Sequence, residues 1–377
     1  MSDDEVAERG ASSSQASRRR PRIILGGVVA ALLVIAGVVV ATTTNGMRDE
    51  RPQAMNASAA RPPAPPSFIG RNGTQLVLEG KPYRFTGFNS YVMLGCGDPD
   101  EKLTPEARDA FFAGLQPLSV VRVFMLPGTS TADTDALVAA AAAHDVRLVV
   151  ALTDDHANCG DTKKDEAFYA GGYRGAYLDW VRTIVPRYRD SVTIGMWELV
   201  NEPGTRNIDV LRAFFDDAGG LVHQLDPNHL LSAGTSLPDG LGGADGFLRL
   251  MSSPAIDVVS MHEYDSVSDV SPHLDDVLDV AKDVGKPILV GEWGLDAGGD
   301  QARAASGGTC LSVDGRAAVA RDKIAAYLKV PEVAGLLYWS YTARGINPTT
   351  PDCSYSTTES DPLFSSIHDV RIPSTQG

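Results

Sequence analysis

The chain has 377 residues, 43% of them hydrophobic, with four cysteines and a formal net charge of −15. That acidity argues against nucleic acid, because phosphate backbones are held by basic stripes, so no nucleic-acid partner is expected. It favours neutral or cationic partners instead. With an N-terminal segment set aside, roughly 310 residues remain, enough for one barrel of about 250 residues with insertions and a core that needs no metal.

In chain order, residues 1–17 are polar, acidic and Ser-rich, and Arg18, Arg19, Arg20 and Arg22 form a basic cluster. Ile23 to Ala41 then runs without a charged residue. At 1.5 Å per residue, a helix of about 19 residues spans the hydrocarbon core. The arginines precede it, so the positive-inside rule keeps the N-terminus in the cytoplasm and sends the rest out. The expectation is a cytoplasmic tail (1–22), a transmembrane signal anchor (23–44) and a Pro/Ala-rich linker (45–66) stiffened by Pro62, Pro63, Pro65 and Pro66. A cleaved signal ending near Val39-Val40-Ala41 is the alternative, and it would make the protein secreted. In both cases residues 67–377 work outside the cytoplasm. There, an even number of cysteines suggests disulfides. Three pairings are possible, and Cys96–Cys159 with Cys310–Cys353 is favoured over the others and over four unpaired thiols.

From Ser67 on, Gln75–Leu78 and Tyr83–Phe85 read as a hairpin around Glu79-Gly80-Lys81-Pro82, leading into a buried strand that ends at Asn89. Thr104-Pro105-Glu106 opens a helix, with Thr as cap and Pro in the first turn. Strands and helices then alternate. Strands are expected at Val120–Leu126, Arg147–Leu152, Thr193–Leu199, Leu230–Ala233, Ile256–Met261, Pro287–Val290 and Val333–Ser340. Helices are expected at Thr134–His144, Tyr173–Tyr188, Val210–Gln224, Leu274–Val284, Arg316–Leu328 and, shorter, Leu363–Val370. Short, continuously apolar strands between helices imply buried parallel pairing. With Tyr83–Asn89 counted first, the strands suffice for a closed (β/α)8 barrel, and no Gly-rich phosphate fingerprint argues for an open dinucleotide-binding sheet.

A barrel of this kind carries its active site at the C-terminal ends of its strands. The fourth barrel strand ends in Glu198-Leu199-Val200-Asn201-Glu202-Pro203 and the seventh in Gly291-Glu292-Trp293-Gly294. Two carboxyls facing across a cleft are what glycosidic cleavage needs: one to protonate the departing oxygen, one to attack or stabilise the oxocarbenium-like carbon. By strand alternation Glu198 shares a face with Val200 and Glu202 and reads as a supporting, barrel-interior carboxylate.

Asn-Glu-Pro and Glu-Trp-Gly at these strand ends resemble glycoside hydrolase family 5. So do Arg122 at the end of the second strand, His262-Glu263-Tyr264 after the sixth and Trp339 near the end of the eighth. The resemblance spans most of residues 80–342 and implies a retaining β-glycosidase on a (β/α)8 barrel. It implies Glu202 as acid/base, Glu292 as nucleophile, Asn201 on the sugar 2-hydroxyl, and His262 lining the cleft near the acid/base. Arg122 and Tyr264 would hold Glu292 ionised and oriented, since a cation and donated hydrogen bonds favour a charged carboxylate. Trp339 would offer a flat face to the sugar, and Asn89 would support the site. Where many members carry a Leu-His pair, the third strand here runs Leu152-Thr153-Asp154-Asp155-His156, so the equivalent contact shifts to Asp155 or His156.

The expected substrate is an extracellular β-linked polysaccharide, a β-mannan or β-glucan. The protein is expected to be a monomer that needs no cofactor or metal, since neither HExxH nor paired Cys/His spacing occurs. Two readings compete with hydrolysis. One is transglycosylation of a wall polymer through the same covalent intermediate. The other is a non-catalytic carbohydrate-binding barrel, which would need neither glutamate.

Overall fold

The structure is a computed structural model that describes residues 67–370 except 96–101, 157–161, 265–266, 268, 300–309, 343 and 346–352. The expected tail, anchor and linker (1–66) and the cysteines Cys96 and Cys159 lie outside the described residues. Among the described residues, no helix is long and apolar enough to cross a membrane.

A small antiparallel sheet comes first: β1 (Gly70–Asn72), β2 (Gln75–Leu78) and β3 (Lys81–Pro82). The hairpin is tighter than the sequence suggests. Glu79 and Gly80 both take positive φ, 54° and 77°. They form a two-residue turn whose twist suits the flanking strands, so Lys81 and Pro82 pair with Leu78 and Val77. The expected partner strand Tyr83–Phe85 is displaced to the start of the barrel. Ile69 and Leu76 pack on Val120, Val149, Met196, Leu230 and Leu289. The little sheet therefore plugs the barrel's N-terminal end.

Eight parallel strands follow: β4 (Phe85–Asn89), β5 (Val120–Phe124), β6 (Arg147–Ala151), β7 (Ile194–Glu198), β8 (Leu230–Ser232), β9 (Val259–Glu263), β10 (Ile288–Trp293) and β11 (Val333–Tyr338). Their order is β8-β7-β6-β5-β4-β11-β10-β9. A parallel bridge between Ser232 and Val258 joins the two edge strands into a closed barrel. Around it run α1 (Pro105–Ala113), α2 (Thr131–Ala143), α3 (Glu166–Ala170), α4 (Ala176–Tyr188), α5 (Ile208–Phe214), α6 (Gly220–Leu225), α7 (Gly243–Met251), α8 (Leu274–Val284), α9 (Val313–Tyr327) and α10 (Pro362–His368). The cap at Thr104 forms as its residue type dictates, its side chain accepting from the Ala107 amide. The expected helix Val210–Gln224 is present but interrupted by a π-helical turn at Phe215–Gly219. Helix α7 was not anticipated: Gly240, Gly242, Gly243 and Gly246 disguise it as loop, yet Phe247, Leu250 and Met251 are fully buried and hold it against the barrel.

The strand faces decide the chemistry. On β5, Val120 belongs to the barrel interior and Val121 to the layer under the helices, so Arg122 points inward. Arg122 is the middle residue of β5, not its end. On β10 the same alternation puts Leu289 inside and Val290 outside, which would turn Glu292 outward. It does not, because the register against β9 slips between Val290 and Glu292: Val290 faces Met261, and Glu292 faces His262. Gly291 is the extra residue of a β-bulge, and the bulge turns Glu292 back into the barrel. On β7, alternation carries Glu198 inward but stops there. Val200 joins the outer core, so it does not share the inward face with Glu198 as expected, and Glu202 lies beyond the strand.

Candidate active site

At the top of the barrel, Arg122 is the hub. It is fully buried and every guanidinium nitrogen is engaged. Nε donates to Glu198 Oε2 (2.6 Å), Nη1 to Glu292 Oε1 (2.7 Å) and Asn89 Oδ1 (3.1 Å), and Nη2 to Asn201 Oδ1 (2.7 Å). Burial works against the cation, but Glu198 and Glu292 outweigh it and hold its pKa above the ordinary value. Asn89 is fully buried and donates to the Gly291 and Leu337 carbonyls (2.9 and 3.0 Å). It supports the bulge and Arg122 and has no surface to offer a sugar.

Glu292 takes its second hydrogen bond from the Tyr264 hydroxyl, at 2.7 Å on Oε2. Burial and the adjacent Glu292 carboxylate keep that phenol protonated and donating. The ring of His262 completes the group: Nδ1 lies 2.9 Å from Glu202 Oε1 and 3.5 Å from Glu292 Oε1. Gly291 makes room for it, since a Cβ there would stand 2.8 Å from His262 Nε2.

Glu202 sits on a braced turn. The Asn201 amide donates to the Thr153 carbonyl (2.8 Å) and the Glu202 amide to the Gly234 carbonyl (2.8 Å), so the strands on both sides hold it. Glu202 itself is left-handed, with φ of 48°. A non-glycine residue in that region stores about 1–3 kcal/mol and marks functional sites. Burial pushes its carboxyl up, but the hydrogen bond and charge of His262, then His156 and Arg122, bring the net below the ordinary carboxylate value.

One oxygen of Glu202, one of Glu292 and a ring nitrogen of His262 lie within 4.8 Å of one another. These three are also the donors that could converge on a metal ion, though Arg122 already neutralises Glu292 there. Two carboxyls this close fit nucleophile and acid/base on one anomeric centre, whose separation is about 5–5.5 Å; an intervening water would need about 6.5–9.5 Å.

The other expected residues divide. His156 is half-exposed, 3.4 Å from Glu202 Oε2 and 3.7 Å from Asp154 Oδ1, and these carboxylates, Asp154 foremost, hold its pKa above the ordinary value. Asp155 turns away and accepts from the Gly204 amide (2.8 Å), bracing the loop after Glu202. Asp154, not foreseen, accepts from Asn201 Nδ2 (2.8 Å) and fixes that side chain, leaving one Nδ2 hydrogen for a ligand. Its parallel bridge to Asn201 explains the role: the third barrel strand stays in register with the fourth three residues beyond the Ala151–Glu198 pair. Trp339 is half-buried at the rim, stacked on Tyr91 (centroids 5.6 Å) and edge-on to Phe124, and is followed by a cis peptide to Ser340. Trp197 and Trp293 are fully buried and belong to the core; Trp197 donates to Asp226. The expected Cys310–Cys353 disulfide is present, with Cα atoms 5.7 Å apart.

Comparison with known proteins agrees with this geometry. The family model described as Cellulase (glycosyl hydrolase family 5) matches residues 122–343. The chain is 26% identical over 300 residues to mannan endo-1,4-beta-mannosidase 1 of Arabidopsis thaliana, covering 60% of this chain and 71% of that one. It is 27% identical over 355 residues to the probable mannan endo-1,4-beta-mannosidase C of Aspergillus terreus, covering 76% and 86%. Its fold is similar to the crystal structure of the endo-1,4-beta-mannanase from Rhizomucor miehei, with a TM-score of 0.62 at 18% identity over 80% of this chain and 98% of that one. The chain belongs to glycosyl hydrolase family 5 and is a glycoside hydrolase.

Proposed function

We propose that the protein hydrolyses a β-1,4-linked mannan-class glycan with retention, through a covalent glycosyl-enzyme intermediate. The observation that carries this reading is the closeness of the two carboxyls, within 4.8 Å at their nearest oxygens together with His262. Glu292, fixed by Arg122 and Tyr264, attacks the anomeric carbon as the bond to the leaving oxygen breaks, and Glu202 gives that oxygen its proton. Glu202, then a carboxylate, takes a proton from water, whose oxygen displaces Glu292 and restores both side chains. The depressed pKa of Glu202 is that of the free enzyme. A bound glycan strips water from its side chain, which is 21% exposed, and so strengthens burial, the influence that favours the protonated acid. Asn201 donates its free Nδ2 hydrogen to the 2-hydroxyl, and Trp339 presents its ring to the sugar. The choice of mannan over glucan is supported by the names of the relatives at 26–27% identity.

The test is to incubate the ectodomain (67–377) with β-1,4-mannan and β-glucan, and with a 2-fluoro mannoside. Mannan cleavage with retention and a label on Glu292 are expected. A label elsewhere, or full activity in Glu292→Ala, would refute the assignment. The same proposal includes a working location outside the cytoplasm, tethered by residues 23–44. Full-length protein should then sediment with membranes and its activity should be open to externally added polymer.

A further inference from the structure

Tyr264 directly follows the last residue of β9. Its phenol nevertheless meets Glu292 Oε2 at 2.7 Å, while the residue as a whole is 39% exposed. A phenol at a strand end can swing about its side-chain torsions unless something packs beside it. That neighbour is Tyr355, from the segment between β11 and α10. The ring centroids are 5.4 Å apart at 57°. Both rings close over Gly294, where a Cβ would stand 2.7 Å from Tyr264 Cε1 and 2.8 Å from Tyr355 Cδ1.

Tyr355 is itself firmly held. Ser354 pairs with Ala297 by two backbone hydrogen bonds, 2.8 and 3.1 Å. The Tyr338 hydroxyl donates to the Tyr355 carbonyl (2.9 Å). The buried Arg316 donates to the carbonyls of Ser354 (3.3 Å) and Ser356 (3.1 Å). Cys353 is tied to Cys310, and the Tyr355 side chain shares a hydrogen bond with Asp296. A segment remote in sequence from both glutamates thus delivers one rigid ring against the group that orients Glu292.

We propose that Tyr355 is a positioning residue for the glycosylation step: packed over Gly294, it holds the Tyr264 hydroxyl on Glu292 without touching the reacting atoms. The inference rests on the reading of Glu292 as nucleophile. Misplacing a reacting group by about an ångström can slow a reaction roughly a hundredfold, so freeing Tyr264 should be visible in rate. The test is a double-mutant cycle of Tyr355→Ala and Tyr264→Phe, read as the rate of Glu292 labelling by the 2-fluoro glycoside and as kcat and KM on mannan.

Tyr355→Ala is expected to slow labelling by roughly tenfold or more, lowering kcat with KM little changed. Added to Tyr264→Phe it should slow labelling no further, and Tyr355→Phe, which keeps the ring, should stay near wild type. Equal losses in both backgrounds, a loss confined to KM, or Tyr355→Phe as damaging as Tyr355→Ala would overturn the inference. If Tyr355→Ala does not accumulate as folded protein, Tyr355→Leu carries the same cycle. Wild type labelled at Glu292 with an additive cycle defeats this inference alone; wild type not labelled at Glu292 defeats the nucleophile reading and this inference with it.

Discussion

Replacing Arg122 with Met removes a buried cation that holds two carboxylates at once. Glu198 is fully buried, and it keeps a hydrogen bond from the Ser232 hydroxyl at 2.9 Å. Glu292 keeps Tyr264 (2.7 Å), and Asn201 keeps Asp154 (2.8 Å). The heavier loss therefore falls on Glu198, stranded as a charge in the barrel interior. Breaking a buried ion pair from one side destabilises by about 3–5 kcal/mol, because the surviving charge has no solvent. Urea unfolding of Arg122→Met should show a loss of that size. Adding Glu198→Gln should return a good part of it, since a neutral amide needs no counter-charge. Activity should stay low in both variants, because Glu292 has lost its anchor. If Arg122→Met unfolds within about 1 kcal/mol of wild type, or Glu198→Gln deepens the loss, the ion pair is not what holds the barrel top together.

Three further outcomes follow from the site and its supports. Glu202 acts as an acid only while protonated, and its pKa in the free enzyme is held down by His262 against the upward push of burial; the alkaline limb of kcat/KM should therefore lie at lower pH than that of kcat, and His262→Gln should move the kcat/KM limb upward. Gly291→Ala puts a Cβ 2.8 Å from His262 Nε2; the clash should destabilise by about 1–3 kcal/mol and reduce kcat, measured by thermal melts and mannan hydrolysis. Cys310→Ser with Cys353→Ser opens a loop with a sequence separation of 43; chain entropy sets an expected loss of at most about 4 kcal/mol, read from denaturant unfolding with and without reductant.

Most of the barrel is legible in the chain. Runs such as Val120-Val121 and Leu148-Val149-Val150 declare buried parallel strands, and Glu202 and Glu292 stand at strand ends where a barrel does its chemistry. What escapes the eye is what depends on partners far away in sequence. Helix α7 is glycine-rich and owes its form to the burial of Phe247, Leu250 and Met251. The two-residue turn at Glu79-Gly80 needs a left-handed glutamate that composition does not announce. Asp154 rather than Asp155 serves Asn201, because β6 stays in register with the chain beyond β7. Tyr355 lies in a stretch without periodicity, and the Ala297–Ser354 bridge, the disulfide and the hydrogen bonds from Arg316 and Tyr338 bring it near Tyr264.

Inward and outward positions on a strand are a matter of parity, and in β10 one glycine switches odd for even. Were the strand to run through Gly291 as an ordinary pleat, without the bulge, the Glu292 carboxylate would turn toward the helices and the indole of Trp293 into the barrel mouth. The chemical identity of the rim thus depends on a local break in the pairing that adds no functional group of its own. A change in how this one residue pairs with its neighbour would change which side chains the substrate meets, even with every letter of the sequence unaltered.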